Sequence, residues 1–253
     1  VKNSLRSAAV EVRPYEDVEK WIASETGKAL MADPAKFSAY HRSLLPSDVK
    51  LVERTSPVAM MKCVKNEAEI QGERRAMLKD AVALAEFYRL AEEESEKNGW
   101  DEADLADLVG RIRAKQPGYV SESFGAIVGF RENGAIVHYS PKKGTAKKIS
   151  GSGMMLIDSG GQYTDGTTDI TRVLYIGEPS EEEKKAYTAV LKAHIAIERL
   201  VFPEGYSGPQ LDAVARSRMW AYGYNYGHGT GHGVGAMMNV HEGPISFGNK
   251  GIT

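Results

Sequence analysis

The sequence predicts an α+β protein, because its predicted helices and strands come in separate blocks along the chain. N-cap residues followed by glutamate or glutamine, together with helical spacing of apolar residues, predict two helices before and two after a central stretch. That central stretch holds two predicted β-hairpins, and a glycine-rich segment follows the last helix. The four helices are expected over residues 66–96, 101–115, 180–202 and 207–222, and the hairpins over residues 124–139 and 153–177.

A boundary between two domains is expected near Pro57. Residues 1–57 mix short helical and strand patterns and are predicted to be the C-terminal part of a preceding α/β domain, whereas residues 58–253 form the second domain. The first residue is not methionine, and the last residues are loop-like without a closing element. We therefore expect a fragment at both ends.

Composition excludes several classes of protein. The 253 residues are 42% hydrophobic and 26% charged with a net charge of −2, which is ordinary for a globular domain and gives no sign of a nucleic-acid partner. No apolar run approaches the ~20 residues that span a bilayer, so no membrane association is expected. The single cysteine, Cys63, rules out a disulfide framework and favours the cytoplasm.

Two aspartates in "LIDSGGQYTDGTTDITR" are candidate metal ligands. If the strands around them are antiparallel with a turn near Tyr163, Asp158 at the end of one strand and Asp169 at the start of the next lie roughly opposite each other. Two carboxylates in that position repel, and a divalent cation between them would remove the repulsion; Mn, Mg, Co and Zn all accept such ligands. Spacing alone leaves solvated hairpin ends as an equal alternative. Asp165 is predicted to be a turn residue.

The segment "NYGHGTGHGVGAMMNVHEGP" is a second candidate site. It holds His228, His232 and His241, and its glycines at 227, 229, 231, 233 and 235 forbid a stable helix and let the backbone approach a ligand closely. A loose dinucleotide fingerprint is present, but no clear strand precedes it and no clear helix follows, so that function is rejected. Imidazole is the commonest metal ligand, and the loop could complete the carboxylate site. His138 could reach the same cleft, whereas His41 and His194 are set aside.

These stretches together resemble the pita-bread metallopeptidases, most closely the cytosolic type of aminopeptidase P. The matching segments run almost without a break from residue 56 to 244: "VKNEAEIQGERRAMLKDAVAL", "NGAIVHYSP", "LIDSGGQYTDGTTDITR", "LKAHIA" and "HGTGHGVGAMMNVHEGP". The resemblance implies a pita-bread (creatinase/aminopeptidase) catalytic domain, preceded by the end of a second domain. It also implies a hydrolase that releases the N-terminal residue from peptides with proline in the second position, and a possible homodimer.

The resemblance assigns roles to six residues. Two divalent ions, most commonly Mn²⁺ with Zn²⁺ or Co²⁺ as alternatives, would be held by Asp158, Asp169 and His232. Substrate and the tetrahedral intermediate would be contacted by His138, His228 and His241. The family needs two further glutamates, which this sequence does not contain before it stops at Thr253. The catalytic domain is therefore expected to lack its C-terminal part, and the chain alone is expected to be inactive.

Three alternatives stay open at this point. A prolidase shares the fold and metals but cleaves dipeptides. A methionine aminopeptidase fits less well, because "HYSP" and "GTTDITR" resemble the proline-specific branch. A metal-free pita-bread module that binds peptides or proteins is disfavoured, because all three implied ligands are retained.

Overall fold

The N-terminal part of the fold is a small parallel pair of strands with helices around it. In the computed structural model the described residues are 10–95 and 97–248, and the chain divides into two units, Val1–Met61 and Lys62–Thr253. The first unit contains α1 (Asp17–Ser24), β1 (Ala29–Ala32), α2 (Ala39–Ser43) and β2 (Lys50–Glu53). β1 and β2 pair in parallel across the intervening helix, as an α/β domain requires. Helix α3 (Pro57–Cys63) follows.

The second unit begins with two capped helices that cover one face of a sheet. Helix α4 (Glu67–Glu94) starts in the predicted capping box, in which the Asn66 side chain accepts from the N–H of Glu69; the predicted end at Glu96 lies outside the described residues. Helix α5 (Glu102–Arg113) is capped by Asp101 in the same way. Their buried faces meet the sheet in one apolar core. The core side chains include Ala83, Leu84, Phe87, Leu105, Val109, Ile112, Val128, Phe130, Met155 and Ile157.

The sheet is antiparallel and is built around the strand that has the most buried residues. The strands are β3 (Tyr119–Phe130), β4 (Gly153–Tyr163), β5 (Gly166–Thr167) and β6 (Ile170–Ile176), with β4 in the middle paired to all three others. Every second residue of β4 faces the core. Helices α6 (Glu181–Glu198) and α7 (Gly208–Trp220) come next, with the capping boxes predicted at Ser180 and Ser207, and pack on each other. The last strands, β7 (Gly231–Gly233) and β8 (Glu242–Phe247), form a separate two-stranded sheet.

The first predicted hairpin, over residues 124–139, is wrong. β3 pairs with β4 up to Phe130, opposite Met155, and the chain then enters a 3-10 turn at Arg131–Ala135 instead of a second strand. The cause is a buried carboxylate that needs donors. Glu102 accepts hydrogen bonds from the N–H of Phe130 (2.7 Å), from the side chains of Asn133 and Tyr139, and from the N–H of Lys147, so this segment wraps around it.

Among the described residues, no helix is both long enough and apolar enough to span a bilayer.

Candidate functional site

The sheet brings the two candidate aspartates together, although in a different register from the one predicted. Asp158 lies inside β4, not at its end, and stands opposite Thr171 of β6, whose hydroxyl donates to its Oδ1 at 2.8 Å. Asp169 is the residue just before β6. Burial, followed by the negative charge of Asp158, raises the pKa of Asp169 above its ordinary value. The two carboxyl groups are therefore close enough to repel.

The backbone around Asp169 is fixed by the preceding residue. Thr168 donates its N–H to the carbonyl of Gly161 and accepts the Gly161 N–H on its hydroxyl, both at 2.9 Å, while its carbonyl accepts from Ser123 Oγ. A Cβ at Gly160 would lie 1.9 Å from that carbonyl, so only glycine allows this approach. The short β5 and the two residues after it replace the simple turn that the sequence predicted.

The small sheet of β7 and β8 carries two histidines to the same place. His232 is the middle residue of β7, and His241 directly precedes β8. His232 Nε2 lies 3.1 Å from Asp169 Oδ2, and the ring centroids of the two histidines are 4.0 Å apart. One ligand atom from each of Asp169, His232 and His241 lies within 4.8 Å of the others. Close strand pairing depends on Gly233, where a Cβ would lie 2.4 Å from the Glu242 carbonyl.

The hydrogen bonds of His232 leave one nitrogen directed at the carboxylate. Its Nδ1 is 2.9 Å from the Gly233 carbonyl, which only accepts, so the hydrogen of the neutral ring is on Nδ1. The Nε2 lone pair then faces an oxygen of Asp169 at 3.1 Å. Two acceptors in that position require a cation between them, either a proton or a metal ion. A backbone carbonyl on the other ring nitrogen is the usual support of a metal-binding histidine.

Glu242 does not belong to this cluster. Its carboxylate is 2.7 Å from the ammonium of Lys62 and 2.5 Å from that of Lys65. Burial opposes its ionisation, but the hydrogen bonds from both lysines hold the pKa of Glu242 below its ordinary value. The ion pairs fix the start of β8 and, with it, the neighbouring His241.

A cleft of about 830 Å³ opens beside the cluster. Asp169, His228 and His232 line it, with the apolar side chains of Val190 and Ile197 on the wall formed by α6. His138 is not among the lining residues. It occupies an exposed turn with φ of 57°, placed there by the chain that wraps around the buried carboxylate of α5. The structure thus gathers five of the six predicted residues and leaves His138 apart.

A family model decides what this chain is. Residues 71–253 match the model of Metallopeptidase family M24, and residues 1–69 match the Creatinase/Prolidase N-terminal domain. The chain belongs to the M24 metallopeptidase family. As predicted, it combines a pita-bread domain with part of an N-terminal creatinase domain.

Curated relatives of this M24 chain include Xaa-Pro aminopeptidases. Aminopeptidase P2 of Arabidopsis thaliana is 40% identical over 97% of the chain, and a probable Xaa-Pro aminopeptidase P of Talaromyces marneffei is 48% identical over 99%. The chain spans about two fifths of their length, at 39% and 40%.

Solved structures give the same family with two specificities. An X-prolyl aminopeptidase from Caenorhabditis elegans, described as a cytosolic enzyme with a di-nuclear active site, matches with a TM-score of 0.89 and 35% identity. The match covers 98% of this chain and 42% of the C. elegans chain. A prolidase from Thermococcus sibiricus matches with a TM-score of 0.74 and 30% identity, over 96% of this chain and 65% of its own.

Two cleft residues of the M24 domain escaped the sequence analysis. His194, which was set aside, lines the cleft from α6, and Glu73 lines it from α4. Burial raises the pKa of Glu73, although the N–H of Thr167 donates to it at 3.0 Å and opposes that shift. The sequence did contain a signal for His194. It shares one face of α6 with Val190 and Ile197, and a polar residue on an apolar helix face is unusual.

Proposed function

We propose that the protein carrying this chain is a metal-dependent Xaa-Pro aminopeptidase, which releases the N-terminal residue from peptides with proline in the second position. The observation that carries the proposal is the cluster of Asp169, His232 and His241 within 4.8 Å, with Asp158 beside it. Relatives 40–48% identical over nearly the whole chain support the substrate class.

The residues present fit divalent metal ions. Mutual repulsion of the two carboxyl groups and the lone pair of His232 directed at Asp169 are both relieved by a cation. Carboxylate and imidazole suit Mn²⁺, which we favour, with Zn²⁺ or Co²⁺ as alternatives. Asp158, Asp169 and His232 would hold two ions, and the di-nuclear active site of the C. elegans enzyme supports that number. When bound, such ions supply an activated water and polarise the scissile carbonyl.

The remaining histidines are assigned to the substrate. His228 lines the cleft, and His241 lies in the cluster, where an imidazole N–H could donate to the oxygen of the scissile carbonyl. Proline has no N–H, so a pocket for its ring sets the specificity. His138 keeps the role implied by the family resemblance only, since it lies in an exposed turn.

The cellular location and the oligomeric state of the enzyme are proposed from its relatives. The cytosolic C. elegans enzyme supports a cytoplasmic location, and a homodimer is proposed from the family resemblance. Because the chain spans about two fifths of its curated relatives, the activity is proposed for a protein of their length that carries this chain.

The experiment compares an Xaa-Pro-Xaa tripeptide with an Xaa-Pro dipeptide, using a protein that carries this chain at the length of its relatives, loaded with Mn²⁺. We expect release of the N-terminal residue from the tripeptide. Cleavage of the dipeptide alone would favour the prolidase, the second candidate that the Thermococcus structure supports. Cleavage of neither substrate would overturn the proposal.

A further inference from the structure

The glycine–histidine loop, residues 225–232, needs an external support. Glycines at 227, 229 and 231 give the unfolded chain many conformations, so ordering this loop costs more than ordering an average one. His228 and His232 must nevertheless be held in fixed positions if they contact metal or substrate, because small displacements weaken such sites strongly.

A buried ion pair on α7 supplies that support. Asp212 and Arg216, four residues apart, are only 3% and 5% exposed, and Arg216 Nε donates to Asp212 Oδ2 at 2.7 Å. The other nitrogens of the guanidinium group all donate into the loop. They bind the carbonyl of Tyr226 (2.8 Å), the side chain of Asn225 (3.2 Å) and the carbonyl of His228 (2.7 Å).

The other carboxylate oxygen of Asp212 contacts the end of the loop that is nearer to His232. Thr230 donates its hydroxyl to Asp212 Oδ1 at 2.5 Å, two residues before His232, and its N–H donates to the Phe247 carbonyl. Close packing holds α7 against the sheet of β7 and β8, since a Cβ at Gly208 would lie 2.0 Å from the Ser246 carbonyl. The pair therefore ties both histidine positions to one rigid helix.

We propose that Asp212 and Arg216 are positioning residues for His228 and His232; their effect on metal binding rests on the function proposed above. The planar guanidinium fork is required, because lysine presents one compact ammonium group and cannot reach all these acceptors. The pair touches neither metal nor substrate and acts through the loop.

The test is Arg216→Lys in the full chain, with Arg131→Lys as the matched control. Arg131 also donates to two backbone carbonyls, those of Ser150 and Ser152, but in another loop. Glu102→Gln is the control for stability, because it disturbs a fully buried carboxylate elsewhere. Two quantities are measured: hydrogen–deuterium exchange of residues 224–232 without metal, and the affinity for Mn²⁺ by titration calorimetry.

We expect Arg216→Lys to speed exchange in that segment severalfold and to weaken Mn²⁺ binding about tenfold, as changes to the supports of metal ligands do. Neither control should change either quantity. Unchanged exchange in folded Arg216→Lys, or equal weakening of Mn²⁺ binding by Glu102→Gln, would overturn the proposal. If Arg216→Lys does not fold, Thr230→Val removes a single bond to Asp212 and must still speed exchange. Absence of Mn²⁺ binding by the unaltered chain would count against the proposed function, while the exchange data would still decide the positioning role.

Discussion

At the scale of single residues, Asp158, Asp165 and Asp169 lie close together in sequence but meet different surroundings. Asp165 sits in the turn after β4, where Lys79 and Arg75 of α4 approach its carboxylate at 2.7 and 3.1 Å. Asp169 faces a like charge instead, from Asp158. The pKa shifts of Asp165 and Asp169 therefore have opposite signs.

For the metal-free protein, Asp169→Asn is expected to raise the melting temperature at pH 7. The folded state keeps the proton of Asp169 to higher pH than the unfolded state, so stability is lost as pH rises above the ordinary pKa of 3.8. The gain from the substitution should vanish at lower pH. Mn²⁺ should raise the melting temperature of the unaltered chain but not of the variant. Thermal unfolding across pH, with and without Mn²⁺, checks this, and a less stable metal-free variant at pH 7 would contradict it.

Asp165→Asn should show the opposite pH dependence. Burial opposes its ionisation, but hydrogen bonds from Lys79 and Arg75 hold the pKa of Asp165 below the ordinary 3.8, so its stabilising effect is present above that value and is lost as pH falls. Since the carboxylate is 24% exposed, we expect a loss of about 1 kcal/mol at pH 7. Urea unfolding at pH 7 and pH 3 measures it. An equal loss at both pH values would mean that the ion pairs are not responsible.

At the scale of secondary-structure elements, one buried carboxylate joins α4, α5 and the sheet behind the site. Asp80 accepts from Arg113 Nε (2.5 Å), from the hydroxyl of Tyr163 (2.9 Å) and from the hydroxyl of Thr168 (2.9 Å). Asp80 and Arg113 are fully buried. Because Thr168 immediately precedes Asp169, this network connects the core to the proposed metal site.

Asp80→Asn is expected to destabilise the fold by about 3 kcal/mol, because it leaves the charge of Arg113 buried without a counterion. Glu93→Gln on the same helix is the control: its pair with Arg89 is exposed, and we expect a change below about 0.5 kcal/mol. Denaturant unfolding of both variants measures the difference. Equal small effects would show that the buried pair contributes little.

Gly160→Ala tests how closely β4 approaches the Asp169 backbone. The added Cβ meets the Thr168 carbonyl at 1.9 Å, so backbone must move, at a cost of roughly 1–3 kcal/mol and with loss of Mn²⁺ affinity. Gly125→Ala in β3 is the control, because no atom lies within 4 Å of its added Cβ. Unfolding and calorimetric titration compare the two; if Gly160→Ala behaved like the control, the close approach would not matter.

Local rules account for the elements that the sequence predicted well. Capping boxes at Asn66, Ser180 and Ser207 involve residues three apart, and all three helices begin where those boxes stand. The predicted strand at 135–139 does not form, because the conformation of this segment depends on Glu102, a buried carboxylate distant in sequence. The predicted register of the strands around Tyr163 was also wrong because of contacts distant in sequence. β5 and its contact with α4 cannot be inferred from the β4 sequence alone.

At the scale of the whole molecule, the cleft is where separate elements converge. Strand β6, helix α6 and the glycine–histidine loop each contribute lining residues, and α4 adds Glu73. Residue types and spacing suggested that Asp158 and Asp169 lie together and that the glycine–histidine loop could complete their site, while the roles of His232 and His241 came from the family resemblance. His194 was missed because cleft lining depends on how helices pack, which spacing does not specify, and the role predicted for His138 stays a prediction.

Asp158, Asp169 and His232 are proposed to form a metal centre. The most direct test is an anomalous difference map from crystals saturated with Mn²⁺, recorded at the manganese absorption edge. We predict a peak between the Asp169 carboxylate and His232 Nε2, within coordination distance of Asp158. A manganese-saturated crystal with no peak there, or with its only peak elsewhere, would show that these residues do not form the metal centre.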